Sequence, residues 1–262
     1  MKLGAIGSNC VDYYENLQDG RAFPGGGPVN MAVYTLRMGG EAAYVGPVGR
    51  DENGEIIRTA MEKKGVDISR LQVREGKTAV SMVELRGSER HFTGYDEGVL
   101  KNYTLSEMDL DFLGSCDVVA ADLWGRVEKY LPELKKRGVK TAFDCATAPE
   151  SAVSQKAIPY TDYLFFSARE DTETLRESMR RYHQAGPSLV IATLGEKGSL
   201  CFDGESFHAC GIVPCTVVDT LGAGDSYIAG FLFGVTEGLS IEKAMEKGAA
   251  CAAETIGYFG AW

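Results

Sequence analysis

Histidine is scarce in this chain, and its three copies, His91, His183 and His208, stand at no spacing that makes a zinc site or a Ser-His-Asp triad. No Gly-x-Ser-x-Gly elbow occurs, which removes the hydrolases built on one. The phosphate loop G-x-x-x-x-G-K-[ST] is absent, and so is a strand–turn–helix G-x-G-x-x-G, so a Walker-type nucleotide site and the dinucleotide fingerprint are both excluded. Seven cysteines (Cys10, Cys116, Cys145, Cys201, Cys210, Cys215, Cys251) are scattered without a C-x-x-C pair and are expected to be mostly reduced core thiols. No apolar run approaches ~18 residues. Gly7, Ser8, Asn9 and Asp12 also interrupt the first segment before it can act as a signal peptide, so a cytoplasmic protein without a membrane partner is expected. Basic residues are outnumbered, 27 Lys+Arg against 37 Asp+Glu, and the resulting charge of -10 disfavours nucleic acid as a partner.

What the chain does contain is an alternation of short apolar strands and amphipathic helices over 262 residues. Strands are expected at Leu3–Ile6, Ala42–Val48, Asp117–Ala121, Lys140–Phe143, Tyr163–Phe166 and Leu189–Ala192. Helices are expected at Glu52–Lys64, closed by Gly65, and around Ser106–Leu113, Val127–Arg137, Gly222–Val235 and Ile241–Glu254. Such alternation builds an α/β fold with a mostly parallel sheet, helices on both faces and ligands beyond the carboxyl ends of the strands. Asp12, Asp144, Glu170, Thr193 and Asp225 are all placed on that edge. The pattern breaks at Ala79–Leu85 and Arg90–Thr93, which read as a hairpin around Arg86–Glu89. With the polar stretch from Val11 to Phe23 this hairpin is expected to form a small β lid, segments about 11–23 and 79–95, on a single domain spanning 1–262. Tyr95, Glu97 and Trp124 are candidates to line its mouth.

Chemistry concentrates at Asp219-Thr220-Leu221-Gly222-Ala223-Gly224-Asp225-Ser226, which runs straight into an apolar helix. Small residues at a helix start let unpaired N–H groups converge on one point that carries partial positive charge. Asp225 places a proton acceptor beside that anion hole, the pair that phosphoryl transfer to a hydroxyl requires; the plain alternative is a tight turn with a capping acid. Gly25-Gly26-Gly27-Pro28-Val29-Asn30 offers a bare backbone beside an amide able to meet a polyol. Asp12 either grips hydroxyls or caps a turn. Thr193-Leu194-Gly195-Glu196-Lys197-Gly198 suits nucleotide phosphates or a plain hairpin equally.

Together these three motifs, in this order, resemble those of the ribokinase (PfkB) family of carbohydrate kinases over essentially the whole chain. The resemblance implies a ribokinase-like fold in which Asp225 is the base and the Gly222, Ala223 and Gly224 amides hold the transferring phosphoryl group. It further implies that Asp12, Gly26 and Asn30 bind the sugar, and that Thr193, Gly195, Gly198 and Ser167 bind ATP. Magnesium arrives with ATP and meets Glu170 through water, and Asp219 with Leu221 matches a segment that often binds a monovalent cation such as K+. One departure stands out: Ser167-Ala168-Arg169-Glu170 replaces the family's Asn-x-x-Glu, keeping the glutamate and losing the asparagine.

Shorter runs, Ser8-Asn9-Cys10-Val11-Asp12, Tyr95-Asp96-Glu97-Gly98-Val99, Leu123-Trp124-Gly125 and Phe259-Gly260-Ala261-Trp262, resemble members that phosphorylate the 6-OH of fructoselysine, an Amadori compound. That substrate carries amines and a carboxylate. Glu97 and Asp122 are then expected to meet the ammonium groups, Tyr95 to line the pocket, and Arg21 or Arg90 to meet the carboxylate. The alternatives are a fructose, ribose or nucleoside kinase, and a sugar- or nucleotide-binding regulator without turnover. A homodimer through the lid edge is a further expectation.

Overall fold

The computed structural model describes residues 1–17, 21–86 and 89–262, the side chains of 85, 86, 89 and 90 excepted. Among these the chain runs β1 (Lys2–Ile6), β2 (Cys10–Tyr14), β3 (Arg21–Gly25), α1 (Gly27–Arg37), β4 (Glu41–Val45), β5 (Pro47–Gly49), α2 (Glu52–Lys64), β6 (Gln72–Arg74), β7 (Val80–Arg86) and β8 (Glu89–Asp96). It continues through α3 (Glu107–Leu113), β9 (Val118–Asp122), α4 (Leu131–Lys136), β10 (Lys140–Asp144), α5 (Ala152–Ala157), β11 (Tyr163–Ser167), α6 (Glu173–Ala185), β12 (Leu189–Thr193), β13 (Ser199–Phe202), β14 (Phe207–Cys210), α7 (Ala223–Thr236) and α8 (Ile241–Thr255).

Eight strands form the main sheet in the order β14-β13-β12-β11-β10-β9-β1-β4. The six strands from β12 to β4 are parallel, and β13 and β14 add an antiparallel margin. Period-2 alternation sends Val118, Ala120 and Phe165 to one face and Val119, Ala121, Leu164 and Phe166 to the other. Both faces are therefore apolar, as a parallel sheet covered on two sides requires. One layer packs α1, α7 and α8 against the first face; the second holds α3 to α6.

Helix ends follow local chemistry. Asp51 caps α2 by accepting from the Gly54 amide, Glu52 and Glu55 occupy its first turn, Lys63 and Lys64 its last, and Gly65 closes it at φ 84°. A capping box of Ser106 and Asp109 starts α3.

The segments expected to form the lid build a separate four-stranded sheet, β3-β2-β7-β8. Its middle pair, β2 and β7, is parallel, and each outer strand is antiparallel to its neighbour. The stretch read as polar covering is thus a strand pair: Asp12, Tyr13 and Tyr14 belong to β2. This corrects the placement of Asp12, which lies within β2 opposite Phe23 and Ser81 and not at the carboxyl end of β1. Glu170 follows the end of β11 and precedes α6. The hairpin residues Gly87 and Ser88 lie outside the described residues. As an edge strand, β8 carries Phe92 at 66% exposure.

Helices α7 and α8 approach each other through glycine. A Cβ on Gly248 would lie 2.8 Å from the Tyr227 carbonyl oxygen and 3.1 Å from the Tyr227 ring. Alanine is the better helix former by about 1 kcal/mol, whereas forcing atoms into a filled interface costs about 1–3 kcal/mol. Gly248→Ala should therefore destabilise the fold, lowering the melting temperature by several degrees in a thermal scan; a rise would show that the two helices can part freely.

Candidate active site

Two helix N-termini converge at the carboxyl end of the main sheet. Gly222, the residue before α7, adopts φ 74°, a left-handed conformation that lets the chain turn sharply into the helix. Its carbonyl accepts from the Ser226 amide at 2.9 Å; of the first-turn N–H groups, that of Ala223 reaches the Thr220 carbonyl at 3.4 Å, while Gly224 and Asp225 lack intrahelical partners. Nothing lies within 4 Å of the position a Gly224 Cβ would take, and this turn faces open space.

Asp225 is held from one side. The Asn30 amide donates to its Oδ2 at 2.7 Å, and the Trp262 indole donates to Asn30 Oδ1 at 2.6 Å. Because the indole nitrogen can only donate, it fixes which end of the Asn30 amide turns to the carboxylate. Burial raises the pKa of Asp225, and the Asn30 hydrogen bond opposes that rise. The start of α1 comes equally close: a Cβ on Gly27 would lie 3.1 Å from Asp225 Oδ1 and 3.2 Å from Asp122 Oδ2. A side chain there would push on both carboxylates, which would have to give by a few tenths of an ångström.

Asp122 ends β9 and Asp144 ends β10, directly opposite each other in the register. Ser8 donates a short hydrogen bond to Asp122 Oδ2, while Asp122 Oδ1 is buried without a hydrogen-bond partner. Asp144 Oδ1 accepts from the Ala146 amide at 2.8 Å. Both carboxyls are pushed up to about 7, chiefly by burial, with the charge of Asp225 adding to the rise in each. Among the described residues none of these three acids forms an ion pair with a Lys or Arg. Asp12 and the Cys10 thiol belong to the same neighbourhood. The thiol donates to Asp12 Oδ1 at 3.5 Å, and its pKa is raised by burial and by Asp12, Asp122 and Asp225.

The remaining expected residues fall into two groups. On the β2–β8 side, Gly26 presses on the backbone of Asn9, Tyr95 is 41% exposed on β8, and Glu97 is paired with Arg126. On the other side, Ser167 and Thr193 face each other at the ends of β11 and β12, their hydroxyls 3.1 Å apart. Gly195 and Gly198 bracket the turn that follows, and Lys197 of that turn reaches Glu170 at 3.1 Å. Asp219 accepts from the Leu221 amide at 3.1 Å and the Gly260 amide at 2.8 Å. No group of three or more His, Cys, Asp or Glu among the described residues is arranged to hold a metal ion. In the sequence Ser8 and Trp262 stand only inside the short runs that carry the resemblance, and Arg126 in none; none of them sits in a motif that names its partner.

The chain matches the family described as pfkB family carbohydrate kinase over residues 2–262. It is 43% identical over 260 residues to fructoselysine 6-kinase of Escherichia coli (strain K12), covering 99% of each chain. Fructosamine kinase FrlD of Bacillus subtilis (strain 168) is 32% identical over 267 residues, covering 100% of this chain and 93% of that one. Among solved structures, Arabidopsis thaliana ribokinase complexed with ribose and ATP superposes with a TM-score of 0.87 at 24% identity, covering 99% and 93% of the two chains. That likeness establishes the ribokinase-like fold.

Trp262→Phe removes the donor that orients Asn30. The Asp225 carboxyl, followed by carbon-13 NMR titration, should then take up its proton at higher pH than in the wild type; an unchanged titration would show that Asn30 needs no anchor. Asp144 tests the burial itself. Below about pH 4 folded and unfolded chains both hold its proton. Between there and about 7 only the folded chain does, so stability falls as pH rises and the loss is complete above the folded value. Asp144→Asn keeps an acceptor for the Ala146 amide and removes the charge. It should raise the melting temperature by several degrees at pH 8 and by almost nothing at pH 4; equal shifts at both would refute the ionised buried carboxyl.

Proposed function

As the chain belongs to the PfkB family of carbohydrate kinases, we propose that it transfers the γ-phosphoryl group of ATP to the 6-hydroxyl of a fructosamine, fructoselysine foremost. The observation that carries this reading is the pair of carboxylates facing one point. Asp225 Oδ1 and Asp122 Oδ2 lie 3.1 and 3.2 Å from the place a Gly27 Cβ would take, and Asp122 Oδ1, on the Gly125 side, is buried without a partner. A neutral sugar brings hydroxyls to such a site; a fructosamine also brings a cationic secondary amine, the counter-charge the acids lack among the described side chains. The full-length identity to fructoselysine 6-kinase and to fructosamine kinase FrlD supports the same substrate class.

In this reading Asp225 takes the proton of the 6-hydroxyl as its oxygen attacks the γ-phosphorus in line and ADP leaves. The first-turn amides of α7, with Gly222, Ala223 and Gly224 free of bulk, meet the negative charge on the phosphoryl group in transit. Asn30 keeps Asp225 ionised and aimed, Asp12 and the backbone at Gly26 hold ring hydroxyls, and Asp122 holds the secondary ammonium. Tyr95 walls the pocket.

ATP lies along the Ser167–Thr193 edge and the Gly195–Gly198 turn. Ile212, Val213, Val217 and Val218, exposed between β14 and α7, offer apolar cover for the adenine. Magnesium travels on the phosphates and neutralises part of their charge. An ion bound mainly through phosphate and water needs few protein ligands, and Glu170 is the carboxylate that would meet its water. Each Asp219 oxygen accepts a backbone N–H, and a carboxylate oxygen has a further lone pair of the kind a monovalent cation such as K+ would use.

A coupled ADP-release assay with MgATP and a panel of fructoselysine, fructose, ribose and adenosine should show fructoselysine preferred in kcat/KM by about a hundredfold, the scale of one or two well-made polar contacts. A plain sugar or nucleoside as the better substrate would overturn the acceptor and leave the kinase. ATP binding without turnover on any acceptor would favour a regulator. Asp225→Asn should lower kcat by roughly 10²–10⁴ with the melting temperature preserved, and a fully active variant would remove Asp225 from its role.

A further inference from the structure

Arg126 holds a backbone conformation that its residue type disfavours. Its φ is 53°, in the left-handed region, where a residue with a Cβ pays about 1–2 kcal/mol. The strain serves one contact: the guanidinium meets both Glu97 oxygens, with Nη2 at 2.7 and 2.8 Å and Nε at 3.2 Å. The Arg126 and Glu97 side chains stay 49% and 33% exposed. An exposed ion pair contributes about 1 kcal/mol, somewhat more when the fork is bidentate as here, so the contact at best offsets the strain. Stability alone does not explain the pair.

Position does. Arg126 belongs to the turn after β9 whose first residue is the buried Asp122, and Glu97 directly follows β8, which carries Tyr95. Tyr95 stands between the two regions, close enough to be influenced by Asp122 and Cys10 on the inside and by Glu97 and Arg126 on the outside. Two aromatics belong to the same segments: Tyr95, two residues before Glu97, is 41% exposed, and Trp124, two residues before Arg126, is 44% exposed. A carboxylate beside a guanidinium is the complement of an ammonium beside a carboxylate, and exposed rings suit a methylene chain that connects such a head to a buried amine.

Resting on the fructosamine reading above, we propose that Glu97 and Arg126 form a subsite for the free α-amino-acid end of the substrate. Glu97 receives the α-ammonium, the Arg126 fork receives the α-carboxylate, and the lysine methylenes cross Tyr95 and Trp124. The two side chains hold each other in place until the zwitterion exchanges into the pair. The subsite thereby selects a sugar carried on a free amino acid over one carried on a simple alkylamine.

The test compares two acceptors: fructoselysine, and the Amadori compound of pentylamine, which keeps the sugar and the secondary amine and lacks both α groups. Arg126→Asn suits the left-handed backbone and removes the charge; Glu97→Gln is the second variant. Each should lower kcat/KM for fructoselysine by about tenfold or more, the loss falling on KM, as expected when a charged hydrogen bond is removed. Each should leave the pentylamine compound within about twofold. Equal losses on both acceptors, or no loss on fructoselysine, overturn the subsite while leaving the kinase reading intact. A wild type that phosphorylates neither compound overturns the fructosamine reading and the subsite with it.

Discussion

A half-buried carboxylate with no cationic partner among the described residues, Asp225, sets the terms for the rest of this molecule. Burial favours the proton on Asp225, and two more acids, Asp122 and Asp144, end neighbouring strands beside it. The fold answers with dipoles in place of cations. Helices α1 and α7 both begin at Asp225, and the Asn30 amide turns its N–H toward it under the hold of the Trp262 indole. Fixed dipoles can stabilise charge there without occupying the room a substrate needs.

The parallel sheet makes this convergence possible. Strands β9, β10, β11 and β12 run side by side in register, so Asp122, Asp144, Ser167 and Thr193 arrive on one edge although the chain separates them widely. The acid end of that row lies beneath the four-stranded sheet's side of the molecule and the hydroxyl end beneath the Gly195–Gly198 turn. One edge thus gathers acids at one end and hydroxyls with first-turn amides at the other.

Much of this was legible in the sequence wherever cause and effect are close in the chain. The start of α7, the capping of α2 and α3, and the alternation of β9 through β12 are local matters, readable from spacing and residue type. The β2–β3 pair was not, because Asp12, Glu15 and Asn16 break the apolar alternation and Pro24 lies in the second strand. Strands β5 and β6, three residues each, and α5, with six, are too short to show a period. The site divided in the same way. Asp225 and Asn30 stood in recognisable motifs, but the indole that orients Asn30 comes from 232 residues away, and Arg126 reaches Glu97 between two loops. Asp12 was identified by type and misplaced by one strand, since nothing local distinguishes the end of β1 from the middle of β2.

The thiols carry a practical consequence. Six of the seven cysteines are buried or partly so, and burial leads the causes that raise each of their pKa values; Cys10, next to Asp12, is the most shielded by neighbouring charge. Reactivity toward alkylating reagents follows the thiolate and its access, which leaves Cys215, exposed in the segment between β14 and α7, as the natural point of attachment. A single fluorophore or spin label can be joined to the unaltered chain there, beside Val213 and Val217, to report from the segment that leads into α7 without touching Asp122, Asp144 or Asp225.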